Sequence, residues 1–403
     1  MSKPKIRFKG YEEDWEQRKL SDLLYLSNEK NDGRYTKDDV LAASLGTELQ
    51  KKQFYFGLKA TDKSVKNYKV VKPTDVIYTK SPIKGFPNGI IRTSKGESGI
   101  VPTLYCVYHS VDEIDSSIIQ SYFEDKERLD AYLMPLVNIG ARNNVNITDK
   151  GFLEGTICIP KDKQEQVSII NVLASISELI TLHQRKCEET KKLKKYMLQK
   201  MFPQNGKRVP EIRFVGFTDD WEQRKLSEIA TMHARIGWQN LRTSEFLDSG
   251  DYMLITGTDF EDGTINYSTC HYVEKERYEQ DKNIQIRNGS ILITKDGTLG
   301  KVAYVQGLTM PATLNAGVFN VEIKDKKETD EKYLFQYLKA PFLMDYVTRH
   351  ATGGTIKHLN QSILINFPVY MPKKSEQEKI GLYLMQLDSL ITLHQRQYQK
   401  LFQ

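Results

Sequence analysis

Apolar residues recur at alternating intervals of four and three in two segments of the chain. Ile169, Leu173, Ile176, Ile180, His183 and Cys187 form one run, and Ile380, Leu384, Leu387, Ile391, His394 and Tyr398 form the other. That spacing lines each set along one seam of a helix, as in helices packed lengthwise. Each segment begins after a proline, Pro160 or Pro372. Ser375 with Glu378 has the spacing of a capping box, and Asp162 with Glu165 is its Asp-led counterpart. The first helix is predicted from about Gln164 to Met201 and the second from after Pro372 to the last residues. The stretch MFPQNGKRVP, Met201 to Pro210, stops the first with Pro and Gly. Matching seams predict an antiparallel pair with a pseudo-twofold axis across it.

Outside these segments the pattern shortens to β-rich runs broken by Gly, Asn and Pro. VIYTK (Val76 to Lys80) and SILITKDG (Ser290 to Gly297) are strands, and ILITKDGTLGKVAYV (Ile291 to Val305) reads as strand, tight turn, strand. A helix predicted from Tyr333 to Tyr346 leads into the polar loop ATGGTIKHLN (Ala351 to Asn360), and NIGARNNVNIT (Asn138 to Thr148) stands at the matching place in the first half.

The halves repeat. IRFKGYEEDWEQRKLSD (Ile6 to Asp22) aligns with IRFVGFTDDWEQRKLSE (Ile212 to Glu228), and LITLHQR occurs at Leu179 to Arg185 and at Leu390 to Arg396. A repeat on this scale fixes the architecture. It predicts a mixed α/β (α+β) chain of two globular domains separated by two long antiparallel coiled-coil helices. The ranges are 1–155, 156–203, 204–368 and 369–403. The anchors are nearly identical and the middles have diverged. Within one chain this means that the anchors meet the same requirement twice and the middles meet two different ones.

Composition narrows the chemistry. The 403 residues carry a net charge of +6, with a pI near 8.8 and a mean hydropathy of −0.52, which suits a polyanion partner. No apolar run approaches the roughly 20 residues of a membrane span, and the first residues, MSKPKIRF, lack the apolar core of a secretory signal. Cys106, Cys158, Cys187 and Cys270 have no C-x-x-C spacing and read as reduced thiols, so a cytoplasmic protein is expected. No Asn-Pro-Pro-Tyr or Asp-Pro-Pro-Tyr motif, no G-x-x-x-x-G-K-[ST] loop and no His-Glu-x-x-His set is present, and DFEDG (Asp259 to Gly263) matches neither a calcium nor a nuclease spacing. The expectation is a non-catalytic chain with no cofactor and no metal of its own.

Several residues keep two readings. His183 and His394 are a metal or switch site, or polar residues that set helix register. Lys191, Lys192, Lys194 and Lys195 are a solvated face, or contacts to phosphate or a partner. The loops with Arg142, Asn143 and Asn144, and with Thr355, Lys357 and His358, are ordinary polar loops or base readers, since Arg and Asn pair bidentately with guanine and adenine edges.

The duplicated WEQRKLS stretches, ILITKDGTLGKVAYV, the proline-to-Glu-Gln starts at Pro160 to Gln166 and Pro372 to Gln377, and the LITLHQR helices resemble the specificity (S) subunits of type I restriction–modification systems, over essentially the whole chain. The resemblance implies two target-recognition domains that each read half of a bipartite, asymmetric site in double-stranded DNA. It implies helices that set the gap between the halves and dock two methyltransferase (M) subunits, which restriction–translocation (R) subunits join. S-adenosylmethionine would then sit on the M subunits, and ATP and Mg on the R subunits. On this reading DNA contacts are expected from Lys80, Lys84, Arg92, Arg142, Asn143, Asn144, Trp238, Lys295, Lys301, Thr355, Lys357 and His358. Partner contacts are expected from Trp15, Arg18, Trp221, Arg224, His183, Arg185, His394 and Arg396. The alternative is a helical adaptor that assembles proteins and reads no DNA.

Overall fold

The computed structural model describes residues 4–45, 49–51, 64–83, 85–136, 138–139, 145–204, 206–297, 299–350 and 359–401. The chain divides into two units, Met1–Thr181 and Leu182–Gln403.

Unit 1 begins with β1 (Glu16–Lys19), followed by β2 (Leu24–Leu26), β3 (Val76–Tyr78), β4 (Ile91–Thr93) and β5 (Cys106–Ser110). Helices α1 (Ser117–Phe123) and α2 (Lys126–Leu133) come next, then β6 (Thr156–Ile159), and then α3 (Lys163–Lys200), which continues into unit 2. Four strands form an antiparallel sheet in the order β2-β5-β3-β4, and β1 pairs separately with β6. The strands β3, β4 and the start of β5 are buried, so β3 and the start of β5 read as apolar runs rather than alternating ones. Phe152 stacks on Tyr78 and Tyr108 in the core, with ring centroids 4.8 and 5.3 Å apart.

Unit 2 repeats the plan. It holds β7 (Glu222–Lys225), β8 (Ala230–His233), β9 (Ile291–Thr294), β10 (Val302–Tyr304) and β11 (Val318–Ile323), then α4 (Glu331–Lys339), α5 (Phe342–His350), β12 (Pro368–Met371) and α6 (Lys374–Lys400). The sheet order β8-β11-β9-β10 is the counterpart of β2-β5-β3-β4, and β7 pairs with β12 as β1 pairs with β6. A further sheet, containing Met253–Ile255 paired in parallel with Ala312–Leu314, belongs to unit 2. The expected strand, turn and strand of Ile291 to Val305 is the β9–β10 pair, with Ile291 opposite Tyr304. The single helix expected from Tyr333 to Tyr346 is two helices. Pro341 follows Ala340, the residue that ends α4, and a residue before proline is pushed out of helical geometry.

Helix α6 lies against α4, and Gly381 makes the approach possible. A Cβ at that position would sit 2.7 Å from the backbone nitrogen of Tyr333. Ile380, Leu384 and Leu387 join the core of unit 2, and Ile391 is buried beside Cys187 of α3. The capping boxes do not form as expected. Asp162 accepts from the backbone N–H groups of Gln164 and Glu165, but Glu165 turns to another partner. Ser375 lies inside the first turn of α6, whose flanking residue Lys373 supplies no side-chain cap. The expectation that no stretch is apolar enough for a membrane span is corrected too. An 18-residue window of α3 reaches a mean hydropathy of 1.3 with 11% of it buried, so by length and composition this helix qualifies. Val172, Leu173, Leu179 and Leu182 are exposed along it.

Candidate functional site

The two anchor motifs close on each other in the same way in both units. In unit 1, Arg7 donates from Nε and Nη2 to the two carboxylate oxygens of Glu165, at 2.7 and 2.8 Å. In unit 2, Arg213 makes the same fork with Glu376, at 2.7 and 2.9 Å. Both glutamate side chains are 1% exposed. The neighbouring glutamines repeat as well. Gln166 donates to the Pro160 carbonyl and accepts from the Asp115 N–H, while Gln377 donates to the Pro372 carbonyl and accepts from the Asp330 N–H. The Glu-Gln pair therefore ties the first turn of each long helix to the strand before it and to the Ile-Arg-Phe segment. The sequence carried this signal, because an Arg and a Glu each recur at equivalent places, but their pairing was not read from it.

This latch holds a buried carboxylate. The hydrogen bonds that Arg213 donates to Glu376 hold its own pKa above the ordinary value. Arg213→Ala leaves Glu376 buried without its cation, and it should destabilise unit 2 by about 3 kcal/mol, the lower end for breaking such a pair, because Arg213 still touches solvent. Urea unfolding measures the loss; a change below about 1 kcal/mol would make the fork a surface pair in energetic terms.

In unit 2 the helices α3 and α6 run antiparallel, as the contacts fix. His183 meets His394, the Cys187 thiol faces the Ile391 carbonyl, and Lys194 Nζ reaches Asp388 at 2.5 Å. The inward side of LITLHQR is Ile and His. Its outward side is Leu390 and Leu393 in α6, which are 44% and 48% exposed. The two histidines thus face one another. Arg185 is exposed and pairs with Glu189, and Arg396 is exposed.

The remaining expected partner residues divide. Trp221 is 1% exposed and packs on Phe202 and Tyr333, so it is a core residue. Trp15 is half-buried and donates to Glu165. Arg18 and Arg224 reach the surface beside Glu16 and Glu222, and Arg224 also bonds Glu328. Both acidic partners hold the Arg224 guanidinium above its usual pKa.

Among the expected DNA contacts, Arg92 is corrected. It is 1% exposed and bonds the carbonyls of Ser44 and Ile91, where burial pulls its pKa down. Lys80 is 13% exposed and spent on Asp149, at 2.6 Å, with Lys69 on the other carboxylate oxygen at 2.8 Å. Burial works against the Asp149 charge, but these bonds outweigh it and hold the carboxyl at about 2. Lys295 is half-buried over the Phe319 ring, and Lys301 is exposed. Lys84, Arg142, Asn143, Asn144, Thr355, Lys357, His358 and the Trp238 side chain lie outside the described residues. Among the described residues no group of three or more His, Cys, Asp or Glu is placed to hold a metal, and the four cysteines are free.

Known proteins resemble this chain in the same terms. Residues 218–403 match the model of the type I restriction modification DNA specificity domain. The type I restriction enzyme MjaVIII specificity subunit of Methanocaldococcus jannaschii is 22% identical over 246 residues, which is 59% of this chain and 56% of that protein. The MjaIX specificity subunit of the same organism is 27% identical over 184 residues, 44% of this chain and 40% of its own length. The chain therefore matches about half the length of these curated relatives. The crystal structure of a type I restriction–modification S subunit from M. genitalium superposes with a TM-score of 0.61 at 15% identity, over 99% of this chain and 96% of that one, which is a likeness of fold. Residues 218–403 thus match the type I restriction modification DNA specificity domain, and the chain, with its repeated α/β plan, its duplicated latch and its long helices, is similar to type I restriction–modification specificity subunits.

Proposed function

We propose that this chain gives a type I restriction–modification complex its DNA sequence specificity. Two recognition domains read the halves of a bipartite site, and the helices carry two M subunits and set the gap. The observation that carries this reading is the contrast between repeated and diverged parts. Latch and helix motifs recur almost unchanged, while the sheets they frame hold different side chains. Two copies of one protein need two like docking surfaces, and two unlike half-sites need two unlike readers. The net charge of +6 favours attraction to the phosphate backbone, which supplies affinity while base contacts supply specificity.

The chain on this reading reads DNA and performs no chemistry. Methyl transfer to adenine N6, and ATP-dependent translocation and cleavage, belong to the M and R subunits. Docking is assigned to the outward leucines, since exposed apolar pairs on a charged helix mark a protein contact. The Leu390→Glu, Leu393→Glu double variant is expected to reduce the complex from two M subunits per chain to one, as mass measured by light scattering after size exclusion. A band-shift on DNA carrying the bipartite site, with and without M, tests the whole reading. M binding with no sequence preference in DNA binding would favour the adaptor instead.

A further inference from the structure

We propose that His183 and His394 form a two-histidine site for a divalent transition-metal ion of the zinc, nickel or copper type, which clips α3 to α6. Their Nδ1 atoms are 3.1 Å apart, with ring centroids 5.4 Å apart and planes tilted by 36°. Two imidazole nitrogens that close cannot both carry hydrogens, and two bare lone pairs repel. Something positive lies between them, either one shared proton or a metal ion. Imidazole nitrogens bind zinc at about 2.0–2.1 Å, so two of them on one tetrahedral ion stand about 3.3–3.4 Å apart. The pair needs to open by only a few tenths of an ångström. With Nδ1 as ligand, each ring keeps its proton on Nε2.

The placement follows from the repeat. Both histidines belong to LITLHQR, and an antiparallel pair with a pseudo-twofold axis brings a repeated residue against its own copy. On one side the site is closed by the next layer, Cys187 and Ile391, at 2% and 8% exposure. Both histidines are themselves partly open to solvent, and water fills the remaining positions, since no third His, Cys, Asp or Glu joins them among the described residues. Borderline ions that favour imidazole over oxygen suit such a site. The ion would fix the axial register of α3 on α6, and with it the geometry of unit 2 that any partner of these helices meets.

The test uses the full chain, with Cu2+ as the spectroscopic probe and Zn2+ for stoichiometry. Electron paramagnetic resonance of the copper-loaded chain is expected to show superhyperfine coupling to two nitrogens, falling to one in His183→Gln or His394→Gln. In equilibrium dialysis each single variant should lose the same bound equivalent of Zn2+, and the double variant should lose no more. Cys187→Ser should keep it. A one-nitrogen signal in the unaltered chain overturns the site without recourse to variants. So do additive losses, which would mean two independent surface histidines, and loss on Cys187→Ser, which would move the site to the thiol.

Discussion

Asp388→Ala is expected to cost unit 2 about 3–5 kcal/mol, and Lys194→Met far less. Asp388 is the hub of a buried network. One of its oxygens accepts from Lys194 Nζ at 2.5 Å and from Gln336 Nε2 at 2.7 Å, and the other lies 3.3 Å from Lys339 Nζ. The Lys194 side chain is 7% exposed. Deleting the carboxylate leaves two ammonium groups facing one another with no anion between them. Deleting Lys194 leaves Asp388 with Lys339 and Gln336, and a methionine refills the space of the lysine stem. The network also predicts a pH dependence. Burial, with Lys339 adding to it, pulls the Lys194 ammonium down to about 8 against the attraction of Asp388. An unfolded lysine titrates near 10.4. Between these values the unfolded chain holds more protons than the folded one, so stability rises with pH. Above about 10 the gain ends, because burial holds the phenols of Tyr333 and Tyr337 above their usual value and their ionisation then favours unfolding. Over the same range burial holds the thiols of Cys106 and Cys270 up at about 11 and about 12, so they keep protons that the unfolded chain loses and lower stability in either protein. The change in urea midpoint from about pH 7.5 to about pH 9.5 should therefore be more positive in the unaltered chain than in Lys194→Met, and an equal change in both would assign the effect to other groups.

How much of this was legible depends on the kind of signal. The 4-3 spacing located α3 and α6 to within a residue or two, because their periodicity is long and strong. The repeated WEQRKLS and LITLHQR phrases located the equivalent elements, because near-identity over many positions leaves few alignments. What periodicity could not reveal was direction within a motif. LITLHQR holds two Leu and one Ile, and only the packing of α6 against α3 tells that Ile391 faces in and Leu393 faces out. Charge in the sequence likewise does not distinguish a free cation from a spent one. Arg92 and Lys80 read as DNA contacts by type, yet one is enclosed by backbone carbonyls and the other is held by Asp149, 69 positions away. Trp221 read as a docking residue, whereas it is a core residue packed on Phe202 and Tyr333, and its counterpart Trp15 is half-buried against Glu165. Repetition marks a shared requirement, and in the Arg–Glu forks that requirement is internal.

The largest functional change is expected from helix length. If the helices set the gap between the half-sites, four residues inserted after Ala174 lengthen α3 by about 6 Å, at 1.5 Å per residue, and add about 40° of rotation. B-DNA rises about 3.4 Å per base pair, so the unspecified gap should grow by one or two base pairs while both half-site sequences stay the same. The position matters. Residues 171–175 are exposed, so an insertion there displaces no buried side chain. The same four residues at Glu188 would carry Lys194 a full turn from Asp388 and Leu198 out of the core, since Cys187, Lys194 and Leu198 are all buried against unit 2. That variant should lose stability and activity together, which separates a length effect from damage to the pair. Methylome sequencing of cells expressing each variant with its M subunit reads the gap directly. A longer gap after insertion at Ala174, with inactivity after insertion at Glu188, makes the helix a ruler. An active complex with an unchanged gap at Ala174 would leave the helices as docking elements alone, with the spacing set by the recognition domains.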